Sequence, residues 1–205
     1  MKAIPILLML LGLHVGVGRS VAAPIGPSPK PAGSAGIAVC IGLGDYNVRD
    51  KLRWAETDAV AVGAALKRKG YRVLCLTRAE ATVASVRAAI AQKPTLIYFA
   101  GHCLDSQIQL KDGGLAISEL ATHTRVMLLD CCHAGKDLTD QGATVVFAAG
   151  KGYAFEAGSN GLFTRHLLDW IKQDDASGRP SLVQYVSSRV ALETGNWQRP
   201  LVGRL

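Results

Sequence analysis

Short unbroken apolar runs alternate along the chain with stretches in which apolar residues recur every third or fourth position. Ile37 to Gly42 is a run of strand length bounded by glycine. Ala55, Ala59, Val62 and Leu66 follow at helical spacing, with Gly70 as the stop. Tyr71 to Leu76 reads as a second strand, and Thr82 caps a helix whose Val83, Val86 and Ile90 share a face. Thr95 to Ala100, Arg125 to Leu129 and Thr144 to Ala149 are further strands. Asp112-Gly113-Gly114 marks a tight turn in a small hairpin between Ile108 and Ile117. Phe163, Leu167 and Trp170 make another helical stripe, as do Val183, Val186 and Val190 after Ser181. Runs without alternation are strands covered on both faces, so the expectation is an α/β domain with a mostly parallel sheet between helix layers. Ligands of such sheets bind beyond the carboxyl ends of the strands. That rule singles out Gly101-His102-Cys103 and Asp130-Cys131-Cys132-His133.

The start of the chain follows another pattern. Lys2, the apolar run from Ile4 to Val17 and the small residues Ser20 to Ala23 predict a signal peptide over 1–23, cut after Ala22 or Ala23. The run is shorter than the ~20 apolar residues of a membrane span. Residues 24–36 are a Pro/Gly/Ser linker, and the folded domain is expected over 37–205. The expected location is periplasmic or secreted, with no stable membrane association once the signal is removed. The formal charge of +7 falls to +5 when Lys2 and Arg19 leave with the signal. Basic residues cluster only at Lys67-Arg68-Lys69, a predicted helix end where cations complement the dipole, so nucleic acid is not an expected partner.

All five cysteines belong to the expected domain, an odd number for an oxidising compartment. Cys40 and Cys75 sit inside apolar runs and read as buried strand residues. Cys103, Cys131 and Cys132 instead follow strands. A thiol becomes a good nucleophile when a neighbouring imidazole takes its proton, and His102 stands at the end of the strand before. Adjacent ligand pairs such as His-Cys and Cys-Cys diverge and lack zinc spacing, so no metal is expected. There is no C-x-x-C for a thiol–disulfide oxidoreductase, no dinucleotide fingerprint and no P-loop, and no cofactor is expected.

YFAGH at Tyr98 to His102 and DCCHAG at Asp130 to Gly135 resemble the histidine and cysteine motifs of the caspase and metacaspase family of cysteine peptidases. IGLGDY at Ile41, LRWAETDA at Leu52, GLFT at Gly161 and QRP at Gln198 agree in order, so the resemblance runs from about Ile37 to the C-terminus. It implies a three-layer caspase-like fold whose sheet runs from the second strand through the first, third, fourth and fifth to an antiparallel sixth near Leu201. It also implies a His/Cys dyad of His102 as base and Cys132 as nucleophile, with the oxyanion held by the N–H groups of Cys103 and Cys132. Cys103 stands where the family usually has Gly, and Cys131 where it has Ser or Ala. Asp58 and Asp130 match the positions by which metacaspases bind Arg or Lys, whereas caspases place Gln at the position of Asp130 and a basic residue near Leu52.

The function expected is therefore a secreted endopeptidase acting on peptides or proteins after Arg or Lys, as a monomer. The alternative is a catalytically silent caspase-like binding module. Only Lys136 to Ala143 separate the cysteine motif from the next strand, so activity without cleavage into two subunits is expected. Oxidation is expected to switch the enzyme off. A bond from Cys103 to Cys132 would abolish attack, while one from Cys103 to Cys131 would spare the nucleophile and pin both loops.

Overall fold

The structure, a computed structural model, describes residues 35–47, 49–132, 143–149, 152–173 and 180–204. The expected signal peptide, most of the linker, His133 and Lys136 to Gly142 lie outside the described residues. In chain order the elements are β1 (Ile37–Gly42), α1 (Ala55–Arg68), β2 (Arg72–Thr77), α2 (Val83–Ile90) and β3 (Leu96–Ala100). A hairpin layer follows, with β4 (Cys103–Leu104), β5 (Gln107–Leu110) and β6 (Gly113–Ala116), then α3 (Ile117–Ala121) and β7 (Val126–Asp130). The chain closes with β8 (Thr144–Phe147), β9 (Glu156–Ala157), β10 (Asn160–Gly161), α4 (Leu162–Lys172), α5 (Leu182–Glu193) and β11 (Leu201–Arg204).

Six strands make the central sheet, in the order β2-β1-β3-β7-β8-β11. All neighbours pair in parallel except β11, which runs antiparallel to β8. This is the strand order set out above, with the antiparallel edge at Leu201. Period-two alternation sends successive residues of each strand to opposite layers. Val39, Ile41, Ile97, Phe99, Met127, Leu129, Val145 and Phe147 pack with α2, α3 and the hairpin. Cys40, Tyr98, Leu128 and Val146 pack instead against α1, α4 and α5. Helices therefore cover both faces.

Local chemistry sets the helix starts. Thr82 accepts from the N–H of Ser85, and Ser181 and Gln184 form a reciprocal capping box at the start of α5. Cys75, expected to be buried, is exposed while Cys40, its register partner, is buried, and no residue of β2 is fully buried. The cause is the edge position of β2: an apolar run at a sheet edge looks the same in sequence as a central one, but half its surroundings are solvent.

Candidate active site

Ala100 and Asp130 are register partners at the carboxyl ends of β3 and β7. His102 and Cys132 each follow by two residues, so neighbouring strands deliver both side chains to one edge. The ladder runs on for one more rung, through the N–H of Gly101 to the carbonyl of Asp130 at 3.2 Å. Both dyad residues line one small cavity of about 40 Å³, together with Asp58, Asp130, Leu52 and Glu156.

His102 is held on three sides. Its backbone N–H donates to the Tyr46 hydroxyl at 2.9 Å, and that hydroxyl donates to the carbonyl of Gln109 at 3.3 Å. Burial pushes the Tyr46 phenol up to about 12, so it remains a donor at neutral pH. The two rings lie 4.8 Å apart between centroids. Gly101 is required by this close approach, since a Cβ there would stand 2.6 Å from the Tyr46 hydroxyl. The imidazole Nε2 lies 2.8 Å from the carbonyl of Asp50. A carbonyl only accepts, so Nε2 carries the hydrogen and Nδ1 is left with the lone pair that a base needs. Sequence reasoning missed Asp50, because the group involved is a backbone carbonyl and leaves no trace in side-chain type.

The backbone N–H of Ala154 donates to the Cys132 sulfur at 3.2 Å and ties that sulfur to the wall of the cavity. Cys103 lies in β4 opposite Ile108. Its φ is negative, unlike those of Asp105 and Ser106 shortly after, so a side chain is accommodated without strain. The N–H of Gln109 donates to the carbonyl of His102 at 2.9 Å, which makes Cys103 and Ile108 the non-bonded pair of the hairpin. The N–H of Cys103 thus faces away from β5. Cys103 and Cys131 form a disulfide, with 5.8 Å between Cα atoms, and Cys132 is a free thiol.

The acidic side of the site lies on the face of the sheet opposite the Cys103–Cys131 disulfide. Alternation along β7 sends Leu129 and Cys131 toward α2 and α3, and Leu128 and Asp130 toward α1 and α4. Asp58, in the first turn of α1, and Asp130 are only 2% and 8% exposed. Asp58 accepts from Asn160 Nδ2 at 2.6 Å and from the N–H of Gly161 at 2.9 Å. Asp130 accepts from the Thr164 hydroxyl at 2.5 Å, and that hydroxyl also pairs with Tyr98. A Cβ on Gly161 would stand 2.7 Å from Asp130 and 3.1 Å from Asp58, so only glycine lets the two carboxylates flank this strand.

Burial raises the Asp58 carboxyl to about 6, outweighing its two donors. Burial also raises Asp130 to about 7, with the Asp58 charge adding to the rise and Thr164 opposing it. Glu156 adds negative charge to both from the cavity mouth, where it accepts from the N–H of Trp54 at 3.1 Å. Neither aspartate has an ion-pair partner among the described residues.

No family profile and no curated protein matches the sequence. Among solved structures, the crystal structure of protein GSU0716 from Geobacter sulfurreducens, a structural genomics target, superposes with a TM-score of 0.64 at 19% identity. The match covers 82% of this chain and 92% of that one, a likeness of fold alone.

Thr164 and Gln198 gain physical roles from the structure. Each belongs to a short block of the sequence whose work was not readable there. Thr164 bridges Tyr98 and Asp130, while the fully buried Gln198 accepts from the N–H of Phe155 and donates to the carbonyl of Ala148. Among the described residues, no group of three or more His, Cys, Asp or Glu is arranged to hold a metal ion. No described helix is long and apolar enough to cross a membrane.

Proposed function

We propose that the chain is a caspase/metacaspase-like cysteine endopeptidase that cleaves peptides or proteins after Arg or Lys. The observation that carries this reading is a thiol and an imidazole at one cavity whose floor is two buried carboxylates with no ion-pair partner among the described residues. Uncompensated buried carboxylates are costly, and a guanidinium or ammonium entering the cavity relieves that cost by charge-assisted hydrogen bonds.

In this reading Nδ1 of His102 takes the Cys132 proton as the sulfur attacks the scissile carbonyl carbon. The negative oxygen that forms is held by the N–H groups of Cys103 and Cys132. The imidazolium then gives its proton to the leaving amine, and the C–N bond breaks to leave a thioester on Cys132. Water, deprotonated by His102, attacks the thioester and releases the acid, and the thiol is restored. At about 40 Å³ the cavity admits water-sized occupants, so an arginyl side chain enters as Leu52 and the Gly152 to Glu156 segment yield.

A secreted or periplasmic location is part of the proposal. It is supported by the Cys103–Cys131 disulfide, a bond that persists in oxidising compartments. The second reading, a silent binding module of the same fold, draws on the small volume of the cavity.

Fluorogenic peptides ending in Arg, Lys or Asp, offered to the purified chain, separate the readings. Turnover of Arg and Lys peptides, lost in Cys132→Ala and in His102→Ala, is the expected result. Binding without turnover would establish the silent module. Turnover of Asp peptides alone would overturn the role of Asp58 and Asp130 while keeping the enzyme.

A further inference from the structure

We propose that the Cys103–Cys131 disulfide is a positioning device for the dyad, so that the oxidised chain is the active form. The inference rests on the peptidase reading above. The bond joins the residue after the base to the residue before the nucleophile, 28 positions apart in the chain. β3 ends at Ala100 and β7 at Asp130, so both dyad residues stand beyond the regular ladder. The hydrogen bond from Gly101 to Asp130 is the last rung between the two strands among the described residues. Past it, the disulfide is the direct link between the two segments, and it also anchors the β4 hairpin whose Cys103 N–H is to meet the oxyanion.

The geometry gives oxidation a sign opposite to that of a Cys103–Cys132 bond. Cys103 and Cys131 are buried in the core layer of α2 and α3, and Cys132 is left as a half-buried free thiol lining the cavity. The expectation that oxidation silences the site is therefore replaced for this pair of cysteines. Their bond fixes the base, one oxyanion donor and the nucleophile's backbone in one frame, and it leaves the reacting sulfur alone. A misplacement of ~1 Å in such a frame lowers turnover on the order of 10²-fold.

Forming the bond takes two thiols to one disulfide. Two electrons pass to a disulfide oxidant, which leaves as a dithiol after gaining the two protons released. Dithiothreitol reverses the step and closes to its cyclic disulfide.

The test uses the full domain chain, wild type and Cys103→Ser/Cys131→Ser, in oxidised-to-reduced dithiothreitol buffers free of peroxide. Turnover of an Arg peptide, thermal melting and the iodoacetamide alkylation rate of Cys132, located by mass spectrometry, are read together. Reduction of the wild type is expected to lower kcat on the order of 10²-fold with KM changed by no more than about twofold, reversibly. The double variant is expected to stay at the low level whatever the buffer. A fall in melting temperature with kcat intact would overturn the proposal, since the bond would then only stabilise the fold. Should the double variant not fold, the reversible wild-type series decides alone. Should the oxidised wild type turn over no peptide, the peptidase reading fails separately. Alkylation then decides: a rate about tenfold slower after reduction upholds the positioning role, and equal rates reject it.

Discussion

Asp58 and Asp130 hold their protons to higher pH in the folded chain than in the unfolded one, where an aspartate titrates near ~3.9. Their contribution to stability is therefore whole below that pH. It is lost as the pH rises through about 6 for Asp58 and about 7 for Asp130. Removing the charge while keeping the shape reverses the penalty. Asp130→Asn is expected to melt higher than wild type at pH 8 and equally at pH 4, while kcat/KM for an Arg peptide drops about 100-fold. A variant less stable at pH 8 would show that the carboxylate is compensated by a partner. Tyr46 offers a second test at this scale. Tyr46→Phe removes the hydroxyl that joins the backbone of His102 to Gln109, leaving a part-buried N–H without its acceptor. The expected cost is about 1–3 kcal/mol in stability, with kcat lowered more than KM is raised. Denaturant melts and steady-state kinetics check both parts, and an unchanged kcat would reduce Tyr46 to a structural contact.

At the scale of elements, most of the sheet was legible because its central strands are apolar throughout and its helices are apolar on a single face. The strand ends also located His102 and Cys132, since open parallel sheets work at their carboxyl edge. The short pairs β4, β9 and β10 and the single-turn-and-a-half α3 were not legible. They hold two to five residues each, too few for any period to repeat. Glu156 was missed for the same reason, lying in one of those pairs. The Asp50 carbonyl was missed because backbone acceptors have no sequence signature. Gln198 shows how much such a residue can carry: from the loop before β11 it bonds both the end of β8 and the Phe155 backbone beside Cys132. Gln198→Ala removes the side-chain partner of both the buried Ala148 carbonyl and the part-buried Phe155 N–H, an expected loss of about 1–3 kcal/mol. Because the freed segment borders the cavity, KM for Arg peptides is expected to change more than the stability of the sheet core measured by hydrogen exchange. Uniform loss of protection with KM intact would place Gln198 in the fold and outside the site.

Across the whole molecule, the site and the stability of the fold are coupled through one pair of buried charges. The ligand-free chain is expected to lose stability between pH 5 and 8, as Asp58 and Asp130 ionise facing each other and Glu156, with no ion-pair partner among the described residues. A cationic occupant binds best when both are ionised, so its stabilising effect must grow over the interval in which the empty chain weakens. The measurement is a series of thermal melts on Cys132→Ala, which leaves the pocket intact and prevents turnover, with an Arg peptide, an Asp peptide or no ligand. At 100 times its Kd a ligand contributes about 2.7 kcal/mol, or roughly 5–10 °C for a chain of this size. The Arg peptide should raise the melting temperature little at pH 5 and by most of that amount at pH 8, with the Asp peptide inert throughout. A shift by the Arg peptide that is the same at both pH values would mean that its cation is bound elsewhere, and the two aspartates would lose their assignment as the floor of the pocket.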